Sequence, residues 1–261
     1  MLYECQTDFG RFKIKDDKSN INVGGRNFCV NLVLEDGNAT DLYYLKTDDG
    51  GCELNEKEIK GNKTVQMTDL AFSILRKNYP ERNTIVTLLD DSGFTWKGKK
   101  NKSYKTNFLK GYLLIHRKTW YEDKFNATMR DPDIYRAYRE KADKNFDDPS
   151  KKPAKFNFIN DDAKEKLEPL YNNSTTWAEF IDKFINTYND EKYVLMYDWY
   201  RQAIYTIFDG MEINQNWQID ISKRPHIECK PMSGGNKTRK NRRITFSKYN
   251  KLEPYSFSPD I

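Results

Sequence analysis

The spacing of apolar positions divides the chain into a strand-forming front and a helix-forming back. Phe28, Val30, Leu32 and Leu34 alternate along NFCVNLVLE, and Leu42 and Tyr44 resume period two in DLYYLKT after the turn-forming DGNA. Alternation places one set of side chains on one face, so the two segments predict an antiparallel hairpin. DDGG at 48–51 predicts another turn. The period then changes. Met67, Leu70, Ala71, Ile74 and Leu75 keep helical spacing, with Thr64 as the expected N-cap and Pro80 as the stop. NTIVTLLDDSG, rich in β-branched residues, reads as a short buried strand. After a basic loop, KGKKNKSYK, a second helix is expected over roughly Thr106–Arg117 with Phe108, Leu109, Tyr112, Leu113 and His116 on its inner stripe. KTWYEDKFNA is expected to be extended. A first core is expected around Leu70, Ile74, Val86, Leu88, Tyr112, Leu113 and Trp120.

Past Asp131-Pro132 the pattern is helical. DPDIYRAYREKADKNF reads as a polar helix and DDPSKKPAKFNF as a connection. Thr176 and Glu179 form a capping-box pattern ahead of Trp177, Phe180, Ile181, Phe184 and Ile185. EKYVLMYDWYRQAIYTIFDG reads as a third helix, stopped by Gly210. The last stretch has no sustained period. The expected class is therefore α/β in the α+β sense: a mixed body at residues 1–130, a helical extension at 131–222, and an irregular basic and aromatic tail at 223–261.

Charge sharpens that tail. Lys237, Arg239, Lys240, Arg242 and Arg243 fall within seven positions and account for the whole formal charge of +5, since the remaining 39 Lys and Arg equal the 39 Asp and Glu. The body is balanced and the positive character is local, which argues against a protein that coats nucleic acid with a basic folded face. Hydrophobic residues are only 37%, yet 17 Tyr, 15 Phe and 5 Trp supply bulk enough for a core. Cys5, Cys29, Cys52 and Cys229 include no C-x-x-C pair, and His116 and His226 stand beside no cysteine pair, so no metal site is expected. Four free thiols in a reducing compartment are expected. The first residues turn charged at once, so no signal peptide is expected, and no apolar run predicts a membrane span.

The order hairpin, helix, strand, helix, aromatic segment resembles the GCN5-related N-acetyltransferase fold. The stretches that carry the resemblance are IKGNKTVQMTDLAFSILRKNYPERNTIVTLLDDSGF and NFLKGYLLIHRKTWYEDKFNA. The latter, with the tail GGNKTRKNRR, also looks like acetyltransferase-like proteins of large nucleocytoplasmic DNA viruses and the basic tails of those viruses' proteins. The resemblance covers about residues 25–130 and the tail. It implies a loop at Gly61, Asn62, Lys63 and Thr64 whose N–H groups would hold the pyrophosphate of acetyl-CoA. Two departures weigh against the chemistry. Glu58 and Lys63 stand where the family has Arg or Gln and a small residue. Ile115 stands where it has the proton-donating tyrosine, with His116 the nearest substitute. Asn107, Leu114 and Trp120 fit the second motif, whereas Thr119 replaces its glycine. The tail departs too, because 18 residues follow Arg243.

The expected function is a non-catalytic structural component of a virus particle, a minor capsid protein in the virion, present in the host cytoplasm during assembly. It needs no cofactor. Its partners would be other capsid or virion proteins, met through Lys237, Arg239, Lys240, Arg242 and Arg243 on an anionic surface and through Phe246, Tyr249, Tyr255 and Phe257 in apolar grooves. Two alternatives stay open. One is an acetyl-CoA-dependent N-acetyltransferase with His116 in the catalytic role. The other is nucleic-acid binding through the basic tail.

Overall fold

A computed structural model describes residues 1–24, 28–34, 40–44, 62–82, 84–89, 93–97, 103–156, 161–189, 192–209 and 216–232. It is a mixed α+β protein of two compact units. One holds Met1–Leu88 and the chain from Ile219 to the end of the described residues; the other holds Leu89–Gln218.

The first unit is built on an antiparallel meander. Strands β1 (Leu2–Thr7), β2 (Gly10–Asp16), β3 (Asn20–Gly24), β4 (Phe28–Leu34) and β5 (Thr40–Tyr44) pair in sequence order. Period two decides which face is buried: Tyr3 and Cys5, Phe12 and Ile14, Ile21 and Val23, and Val30, Leu32 and Leu34 all point inward. The expected hairpin is β4–β5, with Leu32 opposite Leu42. Helix α1 (Asn62–Asn78) packs Met67, Leu70, Ala71, Ile74 and Leu75 onto β3 and β4, and β6 (Ile85–Leu89) then runs parallel to β5 with Thr87 opposite Asp41. Burying each of Met67, Leu70, Ile74 and Leu75 contributes about 1.5–3 kcal/mol, and the Ala71 methyl less. Thr64 is not the cap of α1. The helix starts two residues earlier, and the Thr64 carbonyl accepts from Thr68 Oγ1 at 2.9 Å.

The second unit opens with the hairpin β7 (Gly93–Lys97) and β8 (Ser103–Asn107), Trp96 opposite Tyr104. The ends of the expected basic loop are thus strand, and 98–102 lie outside the described residues. Helix α2 (Phe108–His116) follows directly, so Thr106 belongs to β8 rather than to the helix. The segment expected to be extended is instead helix α3 (Trp120–Phe125). Its reason is local. Thr119 Oγ1 accepts from Glu122 N–H at 3.3 Å while Glu122 Oε2 accepts from Thr119 N–H at 2.6 Å, a reciprocal capping box. Asn126, at φ 52°, closes it.

Strand β9 (Thr128–Met129) leads to α4 (Pro132–Asp147), capped by Asp131 on Ile134 N–H with proline at its first position. Helices α5 (Asp161–Asn172), α6 (Trp177–Thr187) and α7 (Lys192–Phe208) complete the helical part. Thr176 caps α6 as expected, but Glu179 reaches back to Thr175 N–H at 2.7 Å rather than to Thr176. Trp199 is the hub of their core: Phe180 lies 5.3 Å from its ring, Phe184 5.2 Å and Trp177 6.2 Å. The Trp177 indole N–H donates to Lys151 O and Thr206 Oγ1, which pins the connection after α4 onto this core. Strand β10 (Asn216–Asp220) pairs Trp217 with Met129.

From Ile219 the chain re-enters the first unit. Ile221 N–H meets Thr84 O at 2.8 Å, and Arg76 holds three carbonyls, those of Ile221, Arg224 and Pro225. Ile227 N–H donates to Ser73 Oγ at 2.9 Å. Strand β11 (Lys230–Pro231) then pairs antiparallel to β1 at its outer edge.

This return corrects three expectations. The units divide at Leu88 and Gln218, not at 130 and 222, because strand pairing brings residues after 218 back to the first sheet. The seven expected core residues are all buried, yet Tyr112, Leu113 and Trp120 belong to the second unit. The three described cysteines are not free thiols, and Cys52 lies outside the described residues. Cys5 and Cys229 form a disulfide with their Cα atoms 4.7 Å apart, Cys29 is also disulfide-bonded, and no cysteine among the described residues is free. The bridge joins positions 224 residues apart, so motif spacing could not show it. Stable disulfides form where the surroundings oxidise, which removes the basis for expecting a reducing compartment. Among the described residues no helix is long and apolar enough to cross a membrane.

Candidate functional site

The residues that the acetyltransferase resemblance singles out fall in two places. Asn62, Lys63 and Thr64 form the first turn of α1, Asn62 exposed and Thr64 buried. Thr64 Oγ1 has no hydrogen-bond partner among the described residues. Gly61 and Glu58 lie outside them.

The second place is the end of α2. Ile115 is buried and apolar, so nothing at the tyrosine position donates a proton. His116 is half-buried, its ring 4.0 Å from that of Tyr112. Tyr112 itself donates to Asp123 Oδ2 at 2.9 Å. Lys124, 2.9 Å away, and then Tyr112 hydrogen-bond Asp123 and hold its carboxyl below the usual range, against the opposing effect of burial. Trp120 and Tyr121 are core residues, as their apolar spacing suggests.

The same unit holds two further polar clusters with no counterpart in the sequence reading. Glu122 accepts from Tyr135 Oη and lies 3.6 Å from Arg139 Nη1. Burial first, then the Glu122 carboxylate, push the Tyr135 phenol well above its usual range, so it stays a neutral donor that ties α3 to α4. Arg117 sits 3.4 Å over the ring of Phe146. Its desolvation lowers its pKa, and Asp182, Asp147 and Asp143 act against that. In the Glu122 cluster the donors and the acceptor are turned to one another, which is the arrangement of a structural clamp.

The expected partner-binding residues, Lys237, Arg239, Lys240, Arg242, Arg243, Phe246, Tyr249, Tyr255 and Phe257, lie outside the described residues. Their point of departure is described. Met232 N–H donates to Leu2 O at 3.0 Å, one residue beyond β11 and three beyond the Cys5–Cys229 bridge. An open groove of about 790 Å³ runs along this edge, lined by residues of β1, Arg11 and the segment from Glu228 to Met232. Met1, Leu2 and Met232 are large exposed apolar side chains at the same edge. The cysteines were visible in the sequence; their pairing, which makes this edge, was not.

No family model matches the chain, and neither a curated protein nor a solved structure matches it.

Proposed function

We propose that the chain is a non-catalytic structural component of a large DNA virus particle, a minor capsid protein that holds its neighbours through the arm beginning after Met232. The observation that carries this reading is the junction at Met232. Before it, the chain is bonded covalently to β1 through Cys229. After it, five cations occur in seven positions, followed by Phe246, Tyr249, Tyr255 and Phe257. A two-residue strand alone would peel under load, whereas a disulfide at its base passes the load to the meander.

The balanced charge of the rest of the chain supports the same reading, because attraction to an anionic surface is then concentrated in the arm. The run β4, β5, α1 and parallel β6 supports an acetyltransferase-like scaffold, and buried Ile115 supports the loss of its chemistry. The viral setting rests on the likeness of GGNKTRKNRR to viral tails. One observation favours acetyl-CoA binding as a second reading: the buried Thr64 hydroxyl in the first turn of α1, without a partner among the described residues.

Changing Lys237, Arg239, Lys240, Arg242 and Arg243 together to Ser tests the first reading. The melting temperature of the isolated protein should stay nearly unchanged, while incorporation into particles falls and does so more at low salt, where charge attraction is least screened. Deleting residues 244–261 should also weaken incorporation, with less dependence on salt. Normal incorporation of the five-fold variant would make the arm a passive tail and overturn the reading.

A further inference from the structure

We propose that the Cys5–Cys229 disulfide is a thiol-exchange site, and that a dithiol reductant entering the groove beside it unfastens the C-terminal edge strand. Three observations place the site. Cys229 lines the groove and Cys5 does not, and Cys229 is the more exposed sulfur-bearing residue, 7% against 1%. Arg11 and Lys230 line the same groove together with Glu4, 3.6 Å from Arg11, and Glu228, so its charge is balanced and an uncharged dithiol meets no repulsive field there. The bridge also closes a segment that little else holds.

The exchange balances as follows. A thiolate of the reductant attacks Cys229 Sγ, the S–S bond breaks, and Cys5 Sγ leaves with the electron pair. The mixed disulfide at Cys229 is then attacked by the second thiol of the same reductant. Cys229 leaves as a thiolate, the reductant becomes its intramolecular disulfide, and its two protons pass to the two cysteine sulfurs. Two electrons have moved from the dithiol to the protein.

The consequence follows from the hydrogen bonds. Up to Ile227 the returning chain is gripped by Arg76, by Asp69 through Arg224, and by Ser73. Beyond Ile227, apart from the bridge, it is held by the two-residue pairing of Lys230–Pro231 with β1 and by Met232 N–H on Leu2 O. Proline contributes no N–H to that ladder. Glu228, Lys230, Pro231 and Met232 are exposed and add little burial. Reduction therefore moves the root of the arm from Met232 back to Ile227. Five residues, 228–232, are then released from the edge and span roughly 17 Å when extended. The outer edge of β1 loses its partner and offers open N–H and C=O groups for strand addition. The switch stands whether or not the arm binds a capsid surface, since it concerns only the bridge and the strand.

The test uses the full-length chain titrated with dithiothreitol, with alkylation of thiols read by mass spectrometry and amide exchange read on peptides. Cys229 and Cys5 should be alkylated before Cys29 as the dithiol concentration rises. At that point exchange in residues 2–7 and 228–232 should quicken about tenfold or more, while α1 keeps its protection. The Cys5→Ser/Cys229→Ser variant should show the fast exchange with no reductant present. Alkylation of Cys229 only together with Cys29 and with loss of protection in α1 would overturn the proposal. So would unchanged protection of residues 2–7 and 228–232 after the bridge is open.

Discussion

Arg224 grips Asp69 across 155 residues of sequence with two parallel hydrogen bonds, Nε to Oδ1 at 2.8 Å and Nη2 to Oδ2 at 2.9 Å. The side chains are only 14% and 8% exposed, so each charge depends on the other for what it lost from water. Removing one partner leaves a buried charge unpaired. Asp69→Ala and Arg224→Ala are each expected to lower stability by about 3–5 kcal/mol. The double variant should lose much less than the sum. Denaturant unfolding of the three variants measures this, and additive losses would show that the pair is not coupled.

Leu88 lies at the end of β6 and is 3% exposed. Leu88→Ala is expected to cost about 2–5 kcal/mol, the transfer of the missing atoms plus the cavity they leave. A loss below about 0.5 kcal/mol would mean that this end of the parallel strand is not packed as described.

If the chain has the proposed acetyltransferase-like scaffold, acetyl-CoA is expected to bind poorly, because Glu58 and Lys63 would replace the loop residues that meet its pyrophosphate and Ile115 the proton-donating tyrosine. Titration calorimetry should show no binding in the low-micromolar range, about −8 kcal/mol. Binding of that strength with acetyl transfer to an amine would favour the enzymatic reading. His116→Ala would then be the variant to assay, with loss of turnover identifying the histidine as its acid.

The buried tyrosines set an alkaline limit. Burial pushes the Tyr171 phenol up to about 12, from an ordinary value near 10, and Tyr79, Tyr135, Tyr138 and Tyr200 are raised in the same sense, chiefly by burial. A phenol raised in the folded state binds its proton more tightly there than when unfolded. Its stabilisation is complete below the unfolded value and is lost as pH rises through the folded one. The melting temperature should therefore change little up to about pH 9.5 and fall between about pH 10 and 12. Tyrosinate absorbance should appear at lower pH in denatured than in native protein. Coincident titration curves would contradict the burial of these rings.

What the sequence determined by itself was local. The alternation of Val30, Leu32 and Leu34 gave a strand, and Leu70, Ile74 and Leu75 a helix face, because burial on one side imposes the period of the element. Asp131-Pro132 and Thr176 marked helix starts, because the orphan N–H groups of a first turn need such partners. Where two local signals competed, the weaker was easily taken for the winner. The aromatic residues of KTWYEDKFNA suit a strand, but the reciprocal bonds of Thr119 and Glu122 turn the segment into α3. The charge of the arm was also fixed by sequence, since composition needs no fold. Only the tertiary structure decided the rest. It returned the chain after Gln218 to the first sheet, matched Asp69 with Arg224, set Cys229 against Cys5 and seated Tyr112 and Trp120 in a different core from Leu88. These pairings join residues far apart along the chain, and their partners are chosen by which surfaces the packed elements bring within a few ångströms. No local period encodes that choice.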